Sequence, residues 1–167
     1  MNNSAANKKQ PFRFEYEFDA PRKLVFEAFS TAEALNEWWG PAETNNSVIR
    51  LDFKKGGIFH FKMDHQGSIS YGRFVFGEIN PYDLLEFTNA FADEHAQVVK
   101  APFDMDLPLE IFYRLHFTEN NGRTTIRMTG EPVNATGEQD DVFQSINASM
   151  QEGFGGTFKK LAAFLGK

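Results

Sequence analysis

Phe143-Gln-Ser-Ile-Asn-Ala-Ser-Met-Gln-Glu-Gly-Phe-Gly-Gly-Thr-Phe-Lys-Lys-Leu-Ala-Ala-Phe-Leu165 is the stretch that decides the fold. Its large apolar residues Phe143, Ile146, Met150, Phe154, Phe158, Leu161 and Leu165 step by three or four, the spacing of one helical face. Thr136-Gly-Glu-Gln139 before it fits a capping box, and Asp140 and Asp141 suit the positive end of the helix dipole. Gly153, Gly155 and Gly156 interrupt the stripe, each costing about 1 kcal/mol against Ala. A helix carrying three such residues is either kinked or closely approached there.

Working back from that helix, the period is mostly two. Glu110 to Phe117 and Thr124 to Gly130 read as strands joined at Glu119-Asn-Asn-Gly122, where Asn-Gly is a strong hairpin signal. Tyr113, Leu115 and Phe117 share a face, with Ile126 and Met128 as partners. Residues 92–108 break the rhythm with Asp93-Glu-His95, Pro102 and Asp104-Met-Asp-Leu-Pro108, and read as a long loop, with or without a helical turn. Upstream lie strands Val48 to Phe53, Phe59 to Met63, Ile69 to Ile79 and Leu84 to Phe91, linked by turns at Lys54-Lys-Gly-Gly57, Gln66-Gly67 and Asn80-Pro81. Leu85, Phe87, Asn89 and Phe91 share one face. The chain begins its pattern at Phe12-Arg-Phe-Glu-Tyr-Glu-Phe18, aromatic at every second position. Two short helices follow. The first starts near Pro21 with Leu24, Val25, Ala28 and Phe29 on one face; the second starts at a Ser30-Thr-Ala-Glu33 capping box and ends at Gly40-Pro41.

The composition narrows the function classes. The chain has 167 residues, enough for one domain that buries about 70% of its unfolded surface. Residues 1–10 have no apolar core, so they read as a disordered tail rather than a secretory signal, and residues 11–167 as the domain. A net charge of −6, with basic residues clustered only in pairs, argues against nucleic acid and anionic membrane surfaces as partners. Without cysteine there is no disulfide, thiolate metal site or Cys nucleophile. No apolar run approaches the roughly 18 residues of a membrane span, and a cytoplasmic protein is expected. Nineteen phenylalanines stand against two Trp and four Tyr. Phe has no polar handle, so these side chains either fill a core or line an apolar space.

The order strand, two short helices, six strands, long helix is α+β, with a sheet that must bury one face under the last helix. The chain resembles the START-like (SRPBCC) superfamily, and within it the group of the activator of heat-shock protein ATPase homologues. The motifs that carry this are Ala20-Pro-Arg-Lys-Leu-Val-Phe-Glu-Ala28, Trp38-Trp39-Gly40-Pro41, Gly56-Gly57-Ile-Phe59, Glu78-Ile-Asn-Pro81, Gly122-Arg-Thr-Thr125 and Glu152-Gly153-Phe154. The chain departs from that group by carrying Phe154 where Trp is usual, and by a longer loop at 92–108. The resemblance implies a helix-grip (START/Bet v-like) fold, a curved antiparallel sheet of about seven strands around a long C-terminal helix. It also implies a cavity between sheet and helix, with Trp38 and Trp39 near the entrance. By strand and helix parity, Phe59, Phe61, Met63, Phe87, Tyr113, Met128, Met150 and Phe154 are predicted to point into that space, or simply to pack.

Chemistry is thinly signalled. His60, His65, His95 and His116 lack any metal-ligand spacing, and His60 and His116 are placed on the outer face of the sheet. Asn89 and Tyr113 are the polar candidates at the cavity, with Arg73 a third if its strand faces inward. Asn89 is the sharper one, because an amide on an apolar face needs a partner. No Ser-His-Asp order, phosphate loop or paired carboxylates is visible, so no catalytic residue, metal or cofactor is assigned. The expected ligand is a small apolar or aromatic molecule, bound by a monomer or homodimer. A chaperone is the alternative partner, and a cyclase- or aromatase-like enzyme the further alternative.

Overall fold

The alternating aromatics at the start of the chain form strand β1 (Phe12–Phe18) in a computed structural model that describes residues 10–167. The expected tail lies outside the described residues except for Gln10, whose carbonyl accepts a hydrogen bond from Gln144 Nε2 at 2.8 Å. Helices α1 (Arg22–Glu27) and α2 (Ala32–Trp38) follow. Then come β2 (Asn45–Leu51), β3 (Ile58–His65), β4 (Ser68–Asn80), β5 (Leu84–Ala92), β6 (Glu110–Asn120) and β7 (Arg123–Val133). Helices α3 (Gly137–Ser145) and α4 (Asn147–Leu165) end the chain.

All seven strands form one antiparallel sheet in the order β1-β7-β6-β5-β4-β3-β2. Consecutive strands are neighbours except β1, which crosses to the far edge to pair with β7. The tight turns are those predicted. Gln66-Gly67 and Asn121-Gly122 both have positive φ at their two central residues, which matches the twist of the strands they join. The sheet's concave face carries Phe59 and Phe61 of β3, Phe74 and Phe76 of β4, Leu85 and Phe87 of β5, Tyr113, Leu115 and Phe117 of β6, and Ile126 and Met128 of β7. All are buried. Helix α4 lies over that face and sends Phe158 and Leu161 into it.

Three details depart from the sequence reading. The C-terminal helix is two helices, and the break is at Ile146 (φ −97°, ψ 13°) rather than at the glycines. Ser145 Oγ donates to the Val142 carbonyl at 2.6 Å, a back-bond that competes with the helical ladder at that point. The capping residue of α2 is Thr31, not Ser30: its extended backbone lets Oγ1 accept from Ala34 N at 3.2 Å, whereas Ser30 Oγ turns back to Glu27 O. The 93–109 connection contains no helical turn; its structure comes from an isolated bridge between Ala92 and Val98. The box at Thr136 and Gln139 is complete, with both reciprocal hydrogen bonds present.

Two buried side-chain donors pin segments together, one joining β7 to the residues after β1 and the other joining α2 back to the end of α1. Thr124 Oγ1 donates to Ala20 O at 2.7 Å, and Trp38 Nε1 donates to Ala28 O at 2.9 Å. Each satisfies a group that would otherwise lose its solvation on burial. Among the described residues no helix is long and apolar enough to cross a membrane.

Candidate functional site

Between Ser149 and Thr157, α4 does not fill the concave face. A cavity of about 490 Å³ opens there between α4, strands β3 to β5 and the segment after α2. Its floor is buried and apolar: Phe61, Met63 and Gly72 from the sheet, with Thr157 from the helix. Pairing places Phe61, Gly72 and Phe91 in one row across three strands. A Cβ on Gly72 would lie 2.5 Å from Phe61 Cζ, so the missing side chain is what lets the Phe61 ring lie down on the sheet. The rim is exposed and consists of Pro41, Ala42, Glu43, Phe103, Ser149, Glu152 and Gly153.

The helical wall owes its shape to glycine. Gly153 and Gly156 line the cavity, and a Cβ on Gly153 would meet nothing within 4 Å. One on Gly156 would just reach Ala42 Cβ at 3.9 Å. The glycines therefore neither kink the helix nor admit a close neighbour; they leave space. Opposite, the 40–43 segment is bolted to α4. Thr157 Oγ1 donates to Gly40 O at 3.0 Å, and Lys160 Nζ donates to Gly40 O at 3.1 Å and Pro41 O at 3.4 Å. Burial pushes the Lys160 ammonium below its ordinary pKa, with the Glu43 carboxylate acting the other way.

Of the residues singled out from the sequence, Trp39, Phe61, Met63, Asn89, Met150 and Phe154 line the cavity. Trp38, Phe59, Phe87, Tyr113 and Met128 do not; they are packed in the core. Trp38 is wholly buried against Phe29 and Phe158, so of the two adjacent tryptophans only Trp39 reaches the cavity wall. Phe87 stacks on Phe74 at 3.9 Å between centroids. Tyr113 folds over Gly130, where a Cβ would come within 2.6 Å of its ring, and burial pushes its phenol well above the ordinary range. Arg73 faces outward, donating to Ala96 O at 2.9 Å with Glu110 close by. His60 is on the outer face yet buried, because the 93–97 loop covers it and Asp93 O lies 3.0 Å from Nε2. His116 is exposed on that face.

The polar inventory of the cavity is short. The Asn89 amide donates to Arg73 O at 3.2 Å, across the strand pair. Trp39 Nε1 is buried with no hydrogen-bond acceptor among the described residues, its ring standing edge-on to Phe59, Phe61 and Phe74. No group of three or more His, Asp or Glu side chains among the described residues is placed to hold a metal ion. Sequence reasoning missed Phe103, Gly72, Gly153, Gly156 and the 41–43 rim as cavity residues. The signal was present for the glycines, which fall on the inward side of an otherwise bulky stripe.

The comparisons with known proteins agree with this architecture. A sequence model of the family described as activator of Hsp90 ATPase homolog 1-like protein matches residues 19–166. The chain belongs to this family. Its membership is of the SRPBCC type anticipated from the motifs, and the helix-grip fold is the one observed. A protein of Arthrobacter aurescens solved by NMR is similar at 26% identity and TM-score 0.76, over 93% of this chain and 86% of that one. Protein Ms6760 of Mycobacterium smegmatis is similar at 22% identity and TM-score 0.72, over 92% and 88%. The AHSA1 protein of Silicibacter pomeroyi is similar at 18% identity and TM-score 0.69, over 94% and 98%. No curated protein sequence matches the chain.

Proposed function

We propose that this chain binds a small hydrophobic molecule in the cavity between the sheet and α4. The observation that carries this is a space of about 490 Å³ with a buried apolar floor and a solvent-exposed rim. Ligand pockets run to about 300–1,000 Å³ and combine apolar walls with few polar groups. Binding is favoured over catalysis by the same inventory. Asn89, one N–H of which is given to Arg73 O, is a neutral amide that neither takes nor gives a proton near pH 7, and the Tyr113 hydroxyl belongs to a residue of the core rather than of the cavity. An acid–base pair within reach of a substrate atom, which proton-transfer catalysis requires, is not supplied by these two.

Titration with the neutral fluorophore N-phenylnaphthylamine tests the proposal. Saturable enhancement with quenching or shift of Trp39 emission is expected from the native chain. The Gly156→Leu variant is expected to lose that binding while melting no lower, since the substitution fills the cavity and removes a helix-weakening glycine. No saturable binding by the native chain would end the proposal.

The family description supports a second reading, a chaperone-partner module, to which the exposed Val99, Phe103, Met105 and Leu109 would offer apolar contact. Calorimetric titration against a purified heat-shock ATPase at micromolar concentration decides it; absence of heat removes this reading.

A further inference from the structure

We infer that the cavity selects organic amines, holding an apolar body inside and a protonated nitrogen at the mouth. This rests on the cavity being a ligand site and adds to it the charge of the ligand. The ionisable side chains that line the space are Glu43 and Glu152, both exposed at the rim, and no Lys, Arg or His joins them. A ligand with its polar end at the mouth therefore meets carboxylates. The walls behind them are aromatic, with Trp39, Phe61 and Phe154 facing the space from three different elements. Aromatic rings attract cations through their quadrupole, and a cation that is partly desolvated gains most.

Lys160 does not line the cavity, but its ammonium, which donates to the carbonyls of Gly40 and Pro41, keeps its charge and offsets part of that of Glu43, leaving Glu152 as the second carboxylate at the rim. His65 Nδ1 meets the Glu43 carbonyl oxygen at 3.2 Å, not the carboxylate. An anionic head group would need donors. One N–H of the Asn89 amide is given to Arg73 O, which leaves its second, and Trp39 Nε1 is a single buried donor among phenyl rings. A carboxylate or sulfate placed at this mouth would face the Glu43 and Glu152 carboxylates, while the free donors, Trp39 Nε1 and one Asn89 N–H, are too few to replace its water.

Three probes with one tail and different heads separate the possibilities: decylamine, protonated at pH 7, decanol and decanoate, each titrated below its micellar range against the native chain. The ammonium is expected to bind about tenfold more tightly than decanoate in low salt, with decanol between them. Glu43→Gln with Glu152→Gln should bring the two charged probes to within about threefold of each other, and salt at about 0.5 M should narrow the gap in the native chain. The salt measurement stands if the double variant fails to fold. Decanoate binding as tightly as the ammonium, or a gap indifferent to salt, overturns the amine inference while leaving the cavity a ligand site. If none of the three binds, both readings fall together.

Discussion

The closed and the open end of this molecule share one sheet and one helix and differ in what the helix sends inward. At the closed end Phe158 meets Phe14, Tyr16, Phe18, Phe29 and Trp38, all within 6.5 Å between ring centroids. Phe26 of α1 and Phe29 of the α1–α2 link complete that packing against Phe117. At the open end the same helix offers Gly153 and Gly156, and the sheet opposite offers Gly72. The cavity is thus made by leaving side chains out of a surface that still carries Trp39, Phe61, Phe91 and Phe154 beside small residues such as Ala42, Ala90 and Ser149. Aromatic content alone does not separate a wall from a core, and on the helix it is Gly153 and Gly156 that mark the wall.

Paired truncations test this contrast most strongly. Phe158→Ala should cost about 3–5 kcal/mol, the range for deleting a fully enclosed phenyl ring. Phe154→Ala, half-buried beside open space, should cost about 1–2 kcal/mol, because the ring gives up less buried area and leaves no new enclosed void. Urea unfolding of the two variants reads both; equal losses would mean the open end is as tightly packed as the closed one. A smaller effect, of opposite sign, belongs to Gly153→Ala. With nothing within 4 Å of the new methyl, it should stabilise by about 0.5–1 kcal/mol through helix propensity and a restricted unfolded chain. A loss of stability there would show that the helix needs glycine at that point for its path.

The smallest effect concerns the loop beyond the rim. Asp93 accepts backbone N–H groups from Gln97 and His95 at 2.9 and 2.8 Å, and these bonds hold its carboxyl below the ordinary value of 3.8. A carboxyl depressed in the folded state contributes stability above that value and loses it as pH falls through the folded pKa. Acid below pH about 4 should therefore loosen residues 93–97 first, and Asp93→Asn should flatten that dependence. Amide exchange of Gln97 followed against pH would show it; an acid-insensitive Gln97 in the native chain would contradict the assignment.

Much of this was legible in the sequence because it is local. Alternation located the strands, Asn121-Gly122 and Gln66-Gly67 located the hairpins, and the Thr136–Gln139 box opened the helix it was expected to open. Where two local choices compete, sequence was a weaker guide: Ser30 and Thr31 are both good caps, and it is the Thr31 hydroxyl that meets the first turn while that of Ser30 turns back to Glu27 O. The cavity lay further from reach. Whether Phe59 packs and Phe61 lines a space depends on how Trp39 and α4 sit above them, which pairs residues far apart in the chain. The adjacent tryptophans show the same thing, since one residue of chain direction sends Trp38 into the core and Trp39 to the wall. Phe103 was hidden because an exposed apolar residue in an irregular loop carries no period.

The pairing of β1 with β7 has a consequence for biosynthesis. The first strand emerges from the ribosome with no partner, and the hydrogen bonds from Phe12 to Phe18 wait until the chain has been made through Gly130. Until then β7's neighbours can assemble as a meander in the order they are synthesised, each strand finding the one before it, while the N-terminal strand remains an aromatic ribbon at large. Closure of such distant contacts is slow and leaves apolar surface uncovered in the meantime. Helix α4, which covers that surface, is made after every strand of the sheet. The domain is consequently at its most adhesive just before α4 is added.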